Sequence, residues 1–221
     1  MTAAAETTRT DWSLVAAELI RARQTVLPKR LAAPGPDDAQ FFAMLEAAAA
    51  APDHGQLLPW RFVLVPDGQR AALGAVFAQA LAERDADATP EQREQAREKA
   101  LRGPRLLLLV VDAERGDPEI DLHERLISAG AAVQNVLLVA TAQGFGSALT
   151  SGKALKSAVL RRFFAIGARE HAVCFISIGS VASRRLARTR PVVADYLSTL
   201  GESPQSDAVE TPWKSPVLKT C

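Results

Sequence analysis

Apolar side chains recur at helical spacing in several segments of this chain, separated by short apolar runs that read as strands. From Asp11 to Arg23, Trp12, Leu14, Val15 and Leu19 mark one helix, with Thr10 or Asp11 placed to cap it. A second starts near Asp37, carries Phe41, Leu45 and Ala48, and must stop at Pro52. Trp60 to Val65 reads as a strand closed by the turn residues Pro66, Asp67 and Gly68. Two helices follow; the later one starts with Thr89, Pro90 and Gln92, a capping box with proline at the first helical position. Leu106 to Val111 is a continuous apolar run after Pro104, the pattern of a central strand buried on both faces. The longest helical pattern runs from Asp121 to Gln143 and is small-sided at its middle, Ala129 to Ala132. Gly144 and Gly146 end it, an extended piece reaches Thr150, a helix covers Leu155 to Phe164, and Val173 to Ile178 is the last strand.

No repeat or interdomain linker interrupts this sequence of elements, so the expectation is one domain over 11–200. Residues 1–10 are expected to be disordered. The tail 201–221, rich in Ser, Pro and Thr, is expected to be flexible or draped over a partner.

Charge narrows the function classes. Lys plus Arg (26) balances Asp plus Glu (25), for a net charge of +1, which gives no general attraction to nucleic acid or membrane. Cys174 lies in an apolar run and Cys221 is the last residue, so no disulfide framework is expected. No apolar stretch is expected to reach the roughly 18 residues of a membrane span, and residues 1–10 lack the apolar core of a signal peptide. A cytoplasmic location is the resulting expectation.

Several motifs fail on inspection. Gly144-Phe145-Gly146-Ser147-Ala148-Leu149 has leucine at the third small position of a dinucleotide fingerprint and follows a helix, whereas the fingerprint needs a preceding strand. Gly146 to Lys153 has one residue too many for a P-loop, and Ala154 stands where a magnesium-binding hydroxyl is required. His54, His123 and His171 are scattered and no cysteine is spaced for zinc, so no metal is expected. Gly-x-Ser-x-Gly is absent.

Two polar clusters remain. Arg21, Arg23, Lys29 and Arg30 follow the first helix, where they either favour its dipole or, with Thr25, grip a phosphate. Asp53-His54-Gly55-Gln56 lies on a turn leading into the first strand, as a local cap and surface histidine or as part of a site.

Four stretches together resemble the nitroreductase family, in particular its small single-domain NAD(P)H nitroreductases. They are Arg23-Gln24-Thr25, Ala51-Pro52-Asp53-His54 with Pro59-Trp60, Ala142-Gln143-Gly144-Phe145-Gly146, and Val173 to Ser180 ending in Ile-Gly-Ser. The resemblance implies an α+β fold, an α/β/α sandwich with a mostly antiparallel central sheet, as an obligate homodimer with FMN at the subunit interface. It implies that Arg23, Gln24 and Thr25 hold the FMN phosphate and ribityl chain and that Ala50 and His54 meet the flavin from the partner subunit. Leu149, Thr150 and Ser151 then pass the isoalloxazine ring, and Val139, Ala140, Thr141, Ala142, Gln143 and Gly144 serve the nicotinamide nucleotide. The implied activity is hydride transfer from NAD(P)H through FMN to nitro compounds, quinones or similar small acceptors by a ping-pong mechanism. A dehydrogenase or flavin-consuming enzyme of the same fold, and a flavin-binding dimer without turnover, are the alternatives.

No side chain is assigned as acid or base; His54 is a candidate for steering substrate or proton. Gln24 replaces a second arginine and Leu149-Thr150 replaces a Trp-Arg pair, so the acceptor pocket is expected to differ. The phosphate then needs a second positive group among Arg21, Lys29, Arg184, Arg185 and Arg190.

Overall fold

A computed structural model describes residues 11–183 and 189–201. The chain divides into two units, Met1–Arg185 and Leu186–Cys221. In the second, the described residues form one short turn, Val193–Asp195, whose Asp195 carboxylate accepts the N–H of Val192. All else below concerns the first.

Local signals set most of the boundaries. Helix α1 (Trp12–Ala22) begins where the Asp11 carboxylate accepts the N–H groups of Ser13 and Leu14. Helix α2 (Asp38–Ala48) begins with a capping box between Asp37 and Gln40, and ends four residues before the expected stop at Pro52. Helix α3 (Asp67–Arg84) follows the first long strand, and α4 (Pro90–Glu98) carries the Thr89–Gln92 box. Helix α5 (Leu122–Ala142) is capped by Asp121, whose carboxyl is held below its usual range by the N–H groups of His123 and Glu124. The single helix expected over Leu155–Phe164 is two pieces. A 3₁₀ turn, Lys153–Lys156, ends at Ser157, whose hydroxyl accepts the N–H of Leu160 and starts α6 (Ala158–Phe163).

Among the described residues five strands form the sheet: β1 (Leu31–Ala32), β2 (Trp60–Leu64), β3 (Arg105–Asp112), β4 (Gly146–Thr150) and β5 (Glu170–Val181). Strand β5 is central. It pairs with β3 on one side and with β4 and then β1 on the other, and β2 lies outside β3. All of these pairings are antiparallel, while a single parallel bridge joins Thr25 to Ser147 at the outer edge of β4. Opposite Leu109 and Val110 the register of β5 jumps from Cys174 to Ala172, a bulge that leaves Val173 as the extra residue.

Alternation along the central strands buries both faces of the sheet. Leu107, Leu109, Val111, Cys174, Ile176 and Ile178 pack under α2 and α5, while Leu106, Leu108, Val110 and Phe175 pack under α3 and α6. The result is an α+β sandwich, helices on both sides of an antiparallel sheet. Helix α5 is, contrary to expectation, long and apolar enough to cross a membrane by composition. Its apolar side is spent on the sheet instead: Ala129, Ala132, Val133, Val136, Leu137 and Ala140 are buried.

Two arginines also lie inside. Arg125 is 1% exposed and donates to the carbonyls of Asp112, Arg115, Asp117 and Ile120, so one side chain ties down the connection from β3 to α5. Arg70 does the same for Ala100, Gly103 and Pro104, with its basicity lowered by burial.

Candidate flavin site

The basic triplet follows α1 directly and is stitched to the sheet. Thr25 bridges Ser147, and the Val26 N–H donates to the Ser147 carbonyl at 2.9 Å. This contact needs Gly146, because a Cβ there would stand 2.7 Å from Val181 Cγ2, 2.9 Å from Leu31 Cδ2 and 3.0 Å from Val26 Cγ2. Arg23, Gln24 and Thr25 therefore lie beside β4, where Leu149 and Thr150 also sit. Arg23 and Gln24 are half-buried and Thr25 is exposed. Of the basic groups proposed to assist, Arg21 is in the last turn of α1 and Lys29 in the next turn of chain. Arg184 and Arg185 fall outside the described residues, and Arg190 belongs to the second unit.

Leu149, 46% exposed, points to the α5 side of the sheet and lines an apolar pocket of about 170 Å³. The other walls include Leu109, Leu126, Gly130, Val133 and Cys174. Burial pushes the Cys174 thiol up to about 11, so it contributes apolar surface and not a thiolate. Ser151 is exposed just beyond the strand. Close by, Ser147 is only 2% exposed and, among the described residues, its Oγ has no hydrogen-bond partner, nor has the buried Oε1 of Gln143. A guanidinium, an amide and a hydroxyl beside an apolar recess form a donor set that fits a phosphate, a polyol chain and a flat ring.

Ala50 and His54 lie elsewhere. His54 Nδ1 is 2.6 Å from Glu124 Oε2 in the first turn of α5. Farther along, Trp60 Nε1 donates to Ser128 Oγ at 3.1 Å, and Asn135 Nδ2 donates to the carbonyl of Ala47 at 3.1 Å, three residues before Ala50. Glu124, Ser128 and Asn135 share one stripe of α5, facing α2 and β2. Leu126, Gly130, Val133 and Leu137, which face β4, lie roughly 200° around the helix from them. Strands β2 and β4 are three strand spacings apart, about 14 Å. Within one chain, α5 stands between the two halves of the expected site.

The segment 139–144 is the last turn and cap of α5. Ala140 has no exposed surface and Val139 packs against the core, so both serve the fold in this chain. Thr141, Ala142, Gln143 and Gly144 retain some exposure, and Thr141 Oγ1 donates to the Leu137 carbonyl. A helix C-terminus carries the negative end of the dipole, which disfavours phosphate.

Sequence reasoning missed Glu124, whose partner is 70 residues away, and the backbone of the His54 turn. Gln56 (φ +52°) and Leu58 (φ +45°) follow Gly55 (φ +66°) in the left-handed region, which non-glycine residues seldom occupy. The Asp53 carboxylate pins this turn by accepting the Leu58 N–H at 2.6 Å. Among the described residues no cluster of metal-ligating side chains is found.

The model of the Nitroreductase family matches residues 20–180. A protein of Haemophilus influenzae named as an NAD(P)H nitroreductase is 30% identical over 152 residues, covering 69% of this chain and 82% of that protein. YdjA of Escherichia coli K12, named in the same way, is 31% identical over 151 residues, covering 68% and 81%. Among solved structures, a Desulfovibrio desulfuricans protein described as a nitroreductase in complex with FMN aligns with a TM-score of 0.61 at 26% identity, covering 85% of this chain and 96% of that one. A variant of the FMN- and NADPH-dependent nitroreductase NfnB from a Sphingopyxis strain aligns at 0.67 and 18% identity, covering 85% and 99%.

Proposed function

This chain belongs to the nitroreductase family, and from that premise we propose that two copies assemble into an FMN-dependent oxidoreductase that takes hydride from NAD(P)H and reduces small acceptors. One observation carries the composite site: Ala50 and His54 lie on one flank of α5, with Arg23 to Thr25 and Leu149 to Ser151 on the other. A second copy related by a two-fold axis brings each flank to the opposite flank of its partner, which completes two sites at once. The surface supports this reading. Helix α1 buries none of its side chains, although Trp12, Leu14, Val15 and Ile20 are apolar, and Phe42 on α2 and Ile127 on α5 are 61% and 70% exposed.

In this arrangement Arg23 and the Thr25 hydroxyl would hold the phosphate end, Gln24 the polyol chain, and Leu149 to Ser151 the ring, beside the apolar pocket at Leu149. Lys29 or Arg21 supplies the second charge that Gln24 lacks. When bound, FMN supplies the redox chemistry, with hydride entering from NAD(P)H and electrons leaving to a nitro compound, quinone or similar acceptor in alternation. The chain's own residues orient the ring and exclude water from it. Thr141 to Gly144 form the nearby rim available to the nicotinamide end of the nucleotide, with its phosphates kept away from the negative end of the helix dipole. Because leucine and threonine replace a larger aromatic and a basic residue at 149 and 150, the acceptor pocket is wider and less positive, which favours bulky neutral acceptors.

The test is optical. Freshly purified protein is expected to be yellow, to bleach anaerobically on adding NADPH or NADH, and to recover colour when a quinone or nitroaromatic is added. Arg23→Ala is expected to weaken FMN retention by roughly 10-fold to 100-fold, from the loss of about 1.5–3 kcal/mol of charge-assisted hydrogen bonding, while leaving the fold intact. A colourless protein that takes up no FMN, or unchanged flavin affinity in Arg23→Ala, overturns the assignment.

A further inference from the structure

His54 and Glu124 come from segments with no sequence proximity, yet their side chains meet at 2.6 Å on the surface, 65% and 47% exposed. An exposed ion pair of this kind adds little to stability, so stability alone is a weak reason for the geometry. The structure gives it unusual support from both sides. Glu124 sits in the first turn of α5, where the Asp121 cap fixes the backbone. His54 sits on a turn held in left-handed conformations at Gly55, Gln56 and Leu58 and pinned by the Asp53 carboxylate. That turn is packed as well: Gly55 lies against Ile120, and Gly116 against Leu57, so the connection organised by Arg125 backs it directly. Backbone strain held by surrounding contacts is a feature of sites that must present a group in one orientation.

The chemistry of the contact fixes the ring. An ionised carboxylate can only accept, so the proton on the contacting nitrogen belongs to Nδ1, and Nε2 is the ring nitrogen left to face outward. Ile127, one turn beyond Glu124 on α5, is 70% exposed, which places the pair at the rim of the apolar surface assigned above to the second copy. We propose that Glu124 is a positioning residue for the flavin site: it sets the orientation and tautomer of His54 so that Nε2 is the one ring nitrogen offered to the bound ring or its acceptor in the partner subunit. This rests on the composite-site reading. It adds Glu124 as a determinant of how that site handles its acceptor.

The experiment reads the ring directly. Long-range ¹H–¹⁵N spectra of protein labelled at its three histidines, recorded on the high-pH plateau of the ring's own titration, with His54 assigned through His54→Gln, are expected to show His54 protonated at Nδ1. In Glu124→Ala the signal is expected to move toward the Nε2-protonated tautomer, and kcat/KM for a quinone to fall by about 10-fold, the lower range for removal of a group that orients a functional imidazole. FMN affinity is expected to stay within about 2-fold, because the phosphate contacts are untouched. Glu124→Gln, whose amide oxygen still accepts from Nδ1, is expected to keep the wild-type tautomer and most of the turnover. A wild-type His54 protonated at Nε2, a tautomer unmoved in Glu124→Ala, or a shifted tautomer with unchanged turnover overturns the proposal while leaving the flavin reading standing. A wild-type protein that takes up no flavin overturns both.

Discussion

Arg61 on the edge strand β2 and Glu170 on the central strand β5 join the two neighbours of β3 through two parallel hydrogen bonds, Nε to Oε1 at 2.7 Å and a terminal nitrogen to Oε2 at 3.0 Å. The Arg61 guanidinium, helped by the Gly167 N–H and opposed by partial burial, holds the Glu170 carboxyl below the usual carboxylate range. A depressed folded pKa contributes stability that is complete above the unfolded value, near 4.5, and is lost as pH falls through the folded value. Arg61 is 42% exposed, so solvent limits the contribution to about 1 kcal/mol. Glu170→Gln should therefore lower Tm at pH 7 by about 2–4 °C in a chain of this size. The gap should narrow as pH falls below about 4.5 and on through the depressed folded value; calorimetry at pH 7 and at successively lower pH checks it, and a gap that does not shrink contradicts the linkage. Residue-level features of this kind were the least legible in the sequence. Nothing in the local pattern joins Arg61 to Glu170 or His54 to Glu124, because the fold alone brings them together.

Elements were far more legible, since their signals are local. The Asp37 and Thr89 caps and the continuous run Leu106 to Val111 announce themselves within a few residues. Where the reading failed, a competing local group won: Ser157 takes the N–H of Leu160 and divides the helix expected over 155–164. The connection between β3 and α5 was illegible for the opposite reason. Its order comes from Arg125, a charge on a helix that reads as solvated until the carbonyls of Asp112, Arg115, Asp117 and Ile120 close around it. Arg125→Met should cost about 3 kcal/mol, because it leaves buried carbonyls without donors, and should lower the urea midpoint without changing the slope. Arg125→Lys should recover less than half, since one ammonium cannot span four carbonyls in the guanidinium's plane. A loss below about 1 kcal/mol in Arg125→Met would show that the connection is held by its apolar contacts instead.

At the scale of the whole molecule, the combination of Arg-Gln-Thr, Ala-Pro-Asp-His, Gln-Gly-Phe-Gly and Ile-Gly-Ser was enough to bring out the family. The arrangement of those motifs in space was not legible, because spacing along a helix does not say which neighbour each stripe faces. Only the fold shows that α5 separates His54 and Ala50 from Arg23 and Leu149. On the proposed reading, a site divided this way would tie flavin binding to assembly, a single chain holding half of two sites and no complete one. Native mass spectrometry of the freshly purified protein tests this most directly. The account predicts one dominant species of two chains carrying two FMN, with any dissociated single chain free of flavin; FMN retained on single chains, or a flavin-free dimer that takes up no added FMN, would contradict it.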